Sequence, residues 1–238
     1  MPKPGNARLL CGDIMYKLSN NPILYPHQIR ILTLFFSLPF SKTFFLTGGT
    51  ALSAFYLGHR ESQDLDFFSL EPFDTLALKT TLEEIAQKTN AEMVVQQRSQ
   101  TYNEVYLTNK EEKWTQKIDF VQEQPKHFGK IEIVDTVAVD SLINIATNKI
   151  LAVFGRLEVK DYIDLYAICT QTVLIFDKLF TMAKQKDTGL SEFYFASTIT
   201  DVEKFETFPK LKMPFDKKAF IAFYKNISEQ LLLKIKPE

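Results

Sequence analysis

Apolar positions recur with two different periods along this chain. Ile29, Leu32, Phe35 and Phe36 have helical spacing, which predicts a packing helix over residues 27–38. Residues 73–89 read as an amphipathic helix, with Leu76, Leu78, Leu82, Ile85 and Ala86 as its buried set. Residues 43–46 (TFFL) are strand-favouring, and residues 91–98, 102–108 and 114–121 read as further strands, with a turn at Asn109-Lys110. Residues 131–136 fit a short edge strand. A helix follows, capped by Asp140 or Ser141 and running to about residue 153. Its stripe of Leu142, Ile145, Ala146, Ile150 and Val153 encloses one cation, Lys149. Helices are then expected over 158–170, 173–186, 190–198, 201–208 and 217–235, with Pro209 and Pro214 separating the last two. Residues 1–24, with Pro2, Pro4 and Pro22, read as partly loose. The pattern predicts an α+β fold. A mixed sheet with helices occupies residues 1–136, and a helical domain occupies residues 137–238.

One stretch does not fit a purely structural pattern. After TFFL come Gly48 and Gly49, then Thr50 in position to cap a helix containing Ala51, Leu52, Ala54, Phe55 and Leu57. Gly58 stands where that helix should stop. Glycines ahead of a helix N-terminus offer N–H groups and a favourable dipole to an anion. Asp64 and Asp66 then lie two apart in QDLDFFS. On a strand both would project to one face, with Leu65 and Phe67 on the other. Two carboxylates so close repel unless a cation joins them, and hard oxygen ligands suit Mg²⁺ or Mn²⁺ completed by phosphates. Asp119, between Ile118 and Phe120, is a third carboxylate on a neighbouring strand, suited to metal ligation and to accepting a hydroxyl proton. Taken singly, a Gly-Gly pair is usually a turn and an Asp-x-Asp usually a solvated strand end. Their order, with a helix between, points to a nucleotidyltransferase. Arg60, just before the Asp pair, either meets a nucleotide phosphate or pairs with Glu61 or Asp64. His27 reads as a structural or surface residue and His127 as a surface loop residue.

Composition narrows the setting. With 238 residues, 45% hydrophobic and 24% charged, the chain has ordinary globular composition. A net charge of −1 argues against a strongly basic, nonspecific nucleic-acid binder. Cys11 and Cys169 form no metal motif, and no apolar run approaches a membrane span; a reduced, cytoplasmic protein is expected. Lys210, Lys212, Lys217, Lys218 and Lys225 read as a solvated face, with contact to a nucleic-acid backbone as the alternative.

The run GGTALSAFYLGHRESQDLDFFS closely resembles the signature of the AbiEii/AbiGii toxin-type nucleotidyltransferases, a branch of the polymerase-beta-like superfamily. DSLINIATNKILAVFGRLEVKDYIDLYAI extends the resemblance. By that match Lys149 corresponds to the family's helix lysine, and Asp161 and Asp164 to its acidic pair. The resemblance implies a nucleotidyltransferase-fold sheet and transfer of a nucleoside monophosphate from an NTP to an acceptor hydroxyl. Gly48, Gly49, Thr50 and Arg60 would bind the nucleotide, and Asp64, Asp66 and Asp119 the metal. Lys149 would reach the triphosphate, whereas by position alone it could simply snorkel to the rim. Asp161 would orient Lys149, the nucleotide or the acceptor, and Asp164 could hold Arg156. The resemblance further implies a toxin acting on the 3′ end of tRNA, with a separate antitoxin. Three alternatives stay open: an enzyme of the same fold acting on an antibiotic, one modifying a protein, and a nucleotide-binding module without turnover.

Overall fold

The computed structural model describes residues 14–123 and 126–235. The expectations for residues 1–13, and Cys11 among them, lie outside the described residues. The chain forms two compact units, divided between Ser141 and Leu142.

The first unit is built on a seven-stranded sheet. Its strands are β1 Phe44–Thr47, β2 Leu65–Ser69, β3 Glu92–Arg98, β4 Tyr102–Asn109, β5 Trp114–Gln122, β6 Glu132–Val134 and β7 Val137–Val139. They lie in the order β3-β4-β5-β2-β1-β7-β6. The meander β3-β4-β5 is antiparallel, β5 runs parallel to β2, and β2 is antiparallel to β1. The sheet is therefore mixed, and β6 is an edge strand. Alternation along β2, β4 and β5 gives it two unlike faces. Val105, Leu107, Ile118, Phe120, Leu65 and Phe67 are buried on one. Helix α1, Pro26–Ser37, packs there: Phe35 lies 4.4 Å from Phe67 and 5.6 Å from Phe120, ring to ring. Burying a Phe fully is worth roughly 1.5–3 kcal/mol, so this aromatic cluster anchors the sheet. The other face carries Tyr102, Glu104, Lys117, Asp119 and Asp66, all half-buried.

Helix α3, Thr75–Lys88, starts at Asp74, whose carboxylate accepts from the Leu76 and Ala77 amides. Its buried stripe is Leu78, Thr81, Leu82, Ile85 and Ala86. Leu76, expected to be buried, is 63% exposed, because a step of two residues from Leu78 carries it round to the opposite side. Asp140, one of the two residues expected to cap the following helix, is fully buried just after β7, where it accepts from Thr47 Oγ1 at 2.6 Å and lies 2.8 Å from His127 Nε2. His127 is consequently not a surface loop residue: its side chain is 9% exposed and its ring stands edge-on to Phe45.

The second unit is helical: α4 Leu142–Gly155, α5 Val159–Gln171, α6 Phe176–Lys186, α7 Glu192–Thr198 and α8 Lys217–Leu233. The helix expected over 201–208 is a short 3₁₀ segment, Ile199–Lys204, so less of that stretch is helical than its sequence suggested. The whole predicted stripe of α4 is buried. Tyr162, Phe195, Phe220 and Tyr224 fill the centre, and the Tyr224 hydroxyl donates to the Tyr162 carbonyl at 2.6 Å.

Candidate active site

β1 ends at Thr47, and the chain turns at Gly48 into helix α2, Gly48–Ala51, which continues as a π-helical segment, Leu52–Leu57. The helix begins before Thr50, so Thr50 is not its cap; Thr47 holds that position without a side-chain capping bond. Gly48 has φ +70°, and a Cβ there would overlap Oδ2 of Asp66. Glycine is required on both counts: it allows the left-handed backbone and lets the turn close onto a carboxylate. A Cβ on Gly49 would overlap Nη2 of Arg60 and approach Ser62 Oγ to 3.2 Å. The two glycines thus sit against an anion on β2 and a cation on the connector. Gly58 ends the segment in the left-handed conformation, φ +61°, as its position in the sequence predicts.

The connector to β2 is tied down from beneath. The buried Thr50 hydroxyl donates to the Asp64 carbonyl and lies 2.8 Å from Ser62 Oγ. Arg60 is 3% exposed, and its Nη1 donates to the Glu61 carbonyl at 2.9 Å. The guanidinium therefore backs the glycine turn.

Asp64 immediately precedes β2, and Asp66 lies within it. Asp66 is directly opposite Asp119 on the parallel strand β5, and Asp119 is opposite Glu104 on β4. Three carboxylates thus form a row across neighbouring strands. Asp119 accepts from Tyr102 Oη at 3.1 Å and from Lys117 Nζ at 2.9 Å. Burial pulls the Lys117 ammonium pKa down, but hydrogen bonds to Asp119 and Glu104 outweigh it and leave it raised. Burial, with the Asp119 charge, raises the Tyr102 hydroxyl. Among the described residues no three His, Cys, Asp or Glu side chains gather closely enough to hold a metal ion. Asp66 and Asp119 nevertheless offer hard oxygen donors from adjacent strands, beside a turn that a Cβ would fill, and these suit Mg²⁺ or Mn²⁺ completed by phosphate oxygens.

In the helical unit, Lys149 is 5% exposed on α4. Its Nζ lies 2.8 Å from Asp161 Oδ1 and 2.7 Å from Asp164 Oδ2, both carboxylates fully buried on α5. Arg156 reaches Asp161 through Nε at 2.7 Å and Nη2 at 3.3 Å. Burial raises the Asp161 pKa, but Lys149 and Arg156 more than offset this, and its carboxyl is held below the usual range.

The model of the AbiEii family, described as nucleotidyl transferase AbiEii toxin of a type IV toxin-antitoxin system, matches residues 30–231. The chain belongs to this family. It is accordingly a nucleotidyltransferase-type enzyme of a toxin system. Two solved structures support the fold: Helicobacter pylori JHP933, at 16% identity and TM-score 0.53 over 87% of this chain and 90% of that one, and a second Helicobacter pylori protein, titled a candidate nucleotidyltransferase, at 16% identity and TM-score 0.53 over 89% and 96%. No curated protein matches. Among the described residues of this AbiEii chain no helix is long and apolar enough to cross a membrane.

Sequence reasoning missed Tyr102, Glu104 and Lys117 in this AbiEii sheet. A signal existed, since Tyr102 and Glu104 alternate on β4 as Lys117 and Asp119 do on β5. What was lacking was the register that places Glu104 opposite Asp119.

Proposed function

We propose that this AbiEii nucleotidyltransferase moves a nucleoside monophosphate from an NTP to an acceptor hydroxyl, with the 3′ end of tRNA as acceptor. The observation that carries the reading is the closure of the Gly48 turn onto Asp66, which stands in register with Asp119. In this reading the Gly48, Gly49 and Thr50 segment holds phosphates, and Arg60 adds positive charge behind it. Asp64 and Asp66, with Asp119, hold Mg²⁺ or Mn²⁺. When bound, the cation supplies charge neutralisation at the phosphoryl oxygens. The acceptor oxygen forms a bond to the α-phosphorus while the bond to the β-phosphate's bridging oxygen breaks, and pyrophosphate leaves. Asp119 takes the acceptor's proton. Lys149, held by Asp161 and Asp164, is the cation of the helical unit that the family resemblance assigns to phosphate charge in the transition state. A separate antitoxin protein is the partner that family membership implies, and the cytoplasm, where tRNA resides, is the proposed location.

The test incubates the protein with each labelled NTP, Mg²⁺ and total tRNA. Label on RNA is expected, and Asp66→Asn should lower its rate by at least about a hundredfold while leaving the circular dichroism spectrum unchanged. Undiminished turnover in that variant rejects the site. Label on an added antibiotic or on a protein band instead of RNA redirects the acceptor.

A further inference from the structure

The polar sheet face contains a cation that the proposed reaction does not use. Lys117 Nζ lies 2.9 Å from Asp119 Oδ2 and 3.1 Å from Glu104 Oε2. The Tyr102 hydroxyl is shared in the same way, 3.1 Å from Asp119 Oδ1 and 3.1 Å from Glu104 Oε2. Both oxygens of Asp119 thus have a donor, and each donor has Glu104 as a second acceptor. The side chains are 28% exposed for Lys117, 13% for Asp119 and 17% for Glu104, so the group is dry enough for charge to matter and open enough for exchange. Glu104 is itself held ionised: Lys117 lowers its pKa, with further bonds from Tyr102 and Tyr106. An ammonium and a divalent cation compete for the same carboxylate oxygens, because both are hard positive partners and they repel each other at short range.

We propose that Lys117 is a positioning residue, a resident cation that occupies Asp119 in the absence of a divalent metal, and that Glu104 is the carboxylate that retains Lys117 and Tyr102 when Asp119 turns to the metal. The inference rests on the reading of Asp119 as the third acidic group of the site. It assigns Glu104 a purpose. Without Glu104, releasing Asp119 would strand a half-buried ammonium with no counter-ion, which is costly.

The experiment measures Mn²⁺ binding to the nucleotide-free full-length protein from the paramagnetic resonance signal of free Mn²⁺. Lys117→Gln should bind at least about fivefold more tightly than the unaltered protein, the lower limit that one charge near 4 Å sets in bulk water. Lys117→Arg keeps the cation and should match the unaltered protein. Glu104→Gln should bind more weakly. The gain from Lys117→Gln should vanish when Asp119→Asn is added. Equal or weaker Mn²⁺ binding by folded Lys117→Gln overturns the proposal, and so does a gain that survives Asp119→Asn. Should Lys117→Gln fail to fold, Lys117→Arg and Glu104→Gln still decide: an unchanged affinity in Glu104→Gln, or a several-fold change in Lys117→Arg, overturns it. Failure of the proposed reaction looks different, because full turnover by Asp66→Asn removes that reading whatever the Lys117 variants do.

Discussion

Lys149 shows what a single residue can reveal when its neighbours are known. Within an apolar stripe its sequence context allows snorkelling or a functional contact. The structure buries it between Asp161 and Asp164, with Arg156 on the outer side of Asp161. Removing one partner from such a buried group generally costs about 3–5 kcal/mol, because the remaining charge stays desolvated. Linkage gives the pH consequence. The Asp161 pKa is depressed in the folded chain, so the unfolded chain binds more protons near the ordinary value of 3.8. The pair's stabilisation is therefore present above that value and is lost as pH falls through the lower folded pKa. Thermal unfolding followed by circular dichroism should show Asp161→Asn melting below the unaltered protein at pH 7. The two curves should approach each other as pH falls below 3.8 and through the lower folded pKa. A gap that stays constant across that range would mean Asp161 contributes packing rather than charge.

At the scale of elements, the strand-turn-helix of residues 44–57 carries the argument, and much of it was legible in sequence. The Gly-Gly pair, the stop at Gly58 and the alternation around Asp66 depend on local rules of backbone and period, and each local rule agrees with the fold. Other features were not local. β7 is three residues long and takes its place between β1 and β6, pairings that no local window contains, and Asp140, which with Ser141 offered a helix cap, is buried beside Thr47. Thr50 likewise offered a cap in sequence, whereas its hydroxyl fastens the connector at Ser62 and Asp64. The role of Lys117 depended on strand register, which no window of neighbouring residues contains. Gly48 gives the element its test. Alanine there must adopt φ +70° and displace the Asp66 carboxylate. Gly48→Ala should cost about 1–3 kcal/mol in denaturant unfolding and lower transfer activity more than stability alone explains. Near-normal activity together with normal stability would show that the turn need not close on Asp66.

For the whole molecule, the acceptor and the net charge must be reconciled. A chain of net charge −1 and pI about 6.3 presents no general attraction to a polyanion, so the proposed tRNA acceptor would be held through few phosphate contacts. The exposed lysines of the carboxy-terminal region are partly committed elsewhere: Lys225 pairs with Glu203, and Lys217 donates to the Phe205 carbonyl. Counterion release then predicts a shallow salt dependence, because each phosphate contact adds less than one unit to the slope of log affinity against log salt. Two such contacts lose roughly tenfold between 50 and 200 mM salt, whereas six to ten lose about 10³–10⁵. The second-order rate constant for labelling tRNA, measured at subsaturating RNA across that interval, should therefore fall by no more than about tenfold. A fall of a thousandfold would require a concentrated basic surface that neither the composition nor the committed lysines supply, and the acceptor would then be bound by a quite different part of the chain's surface chemistry.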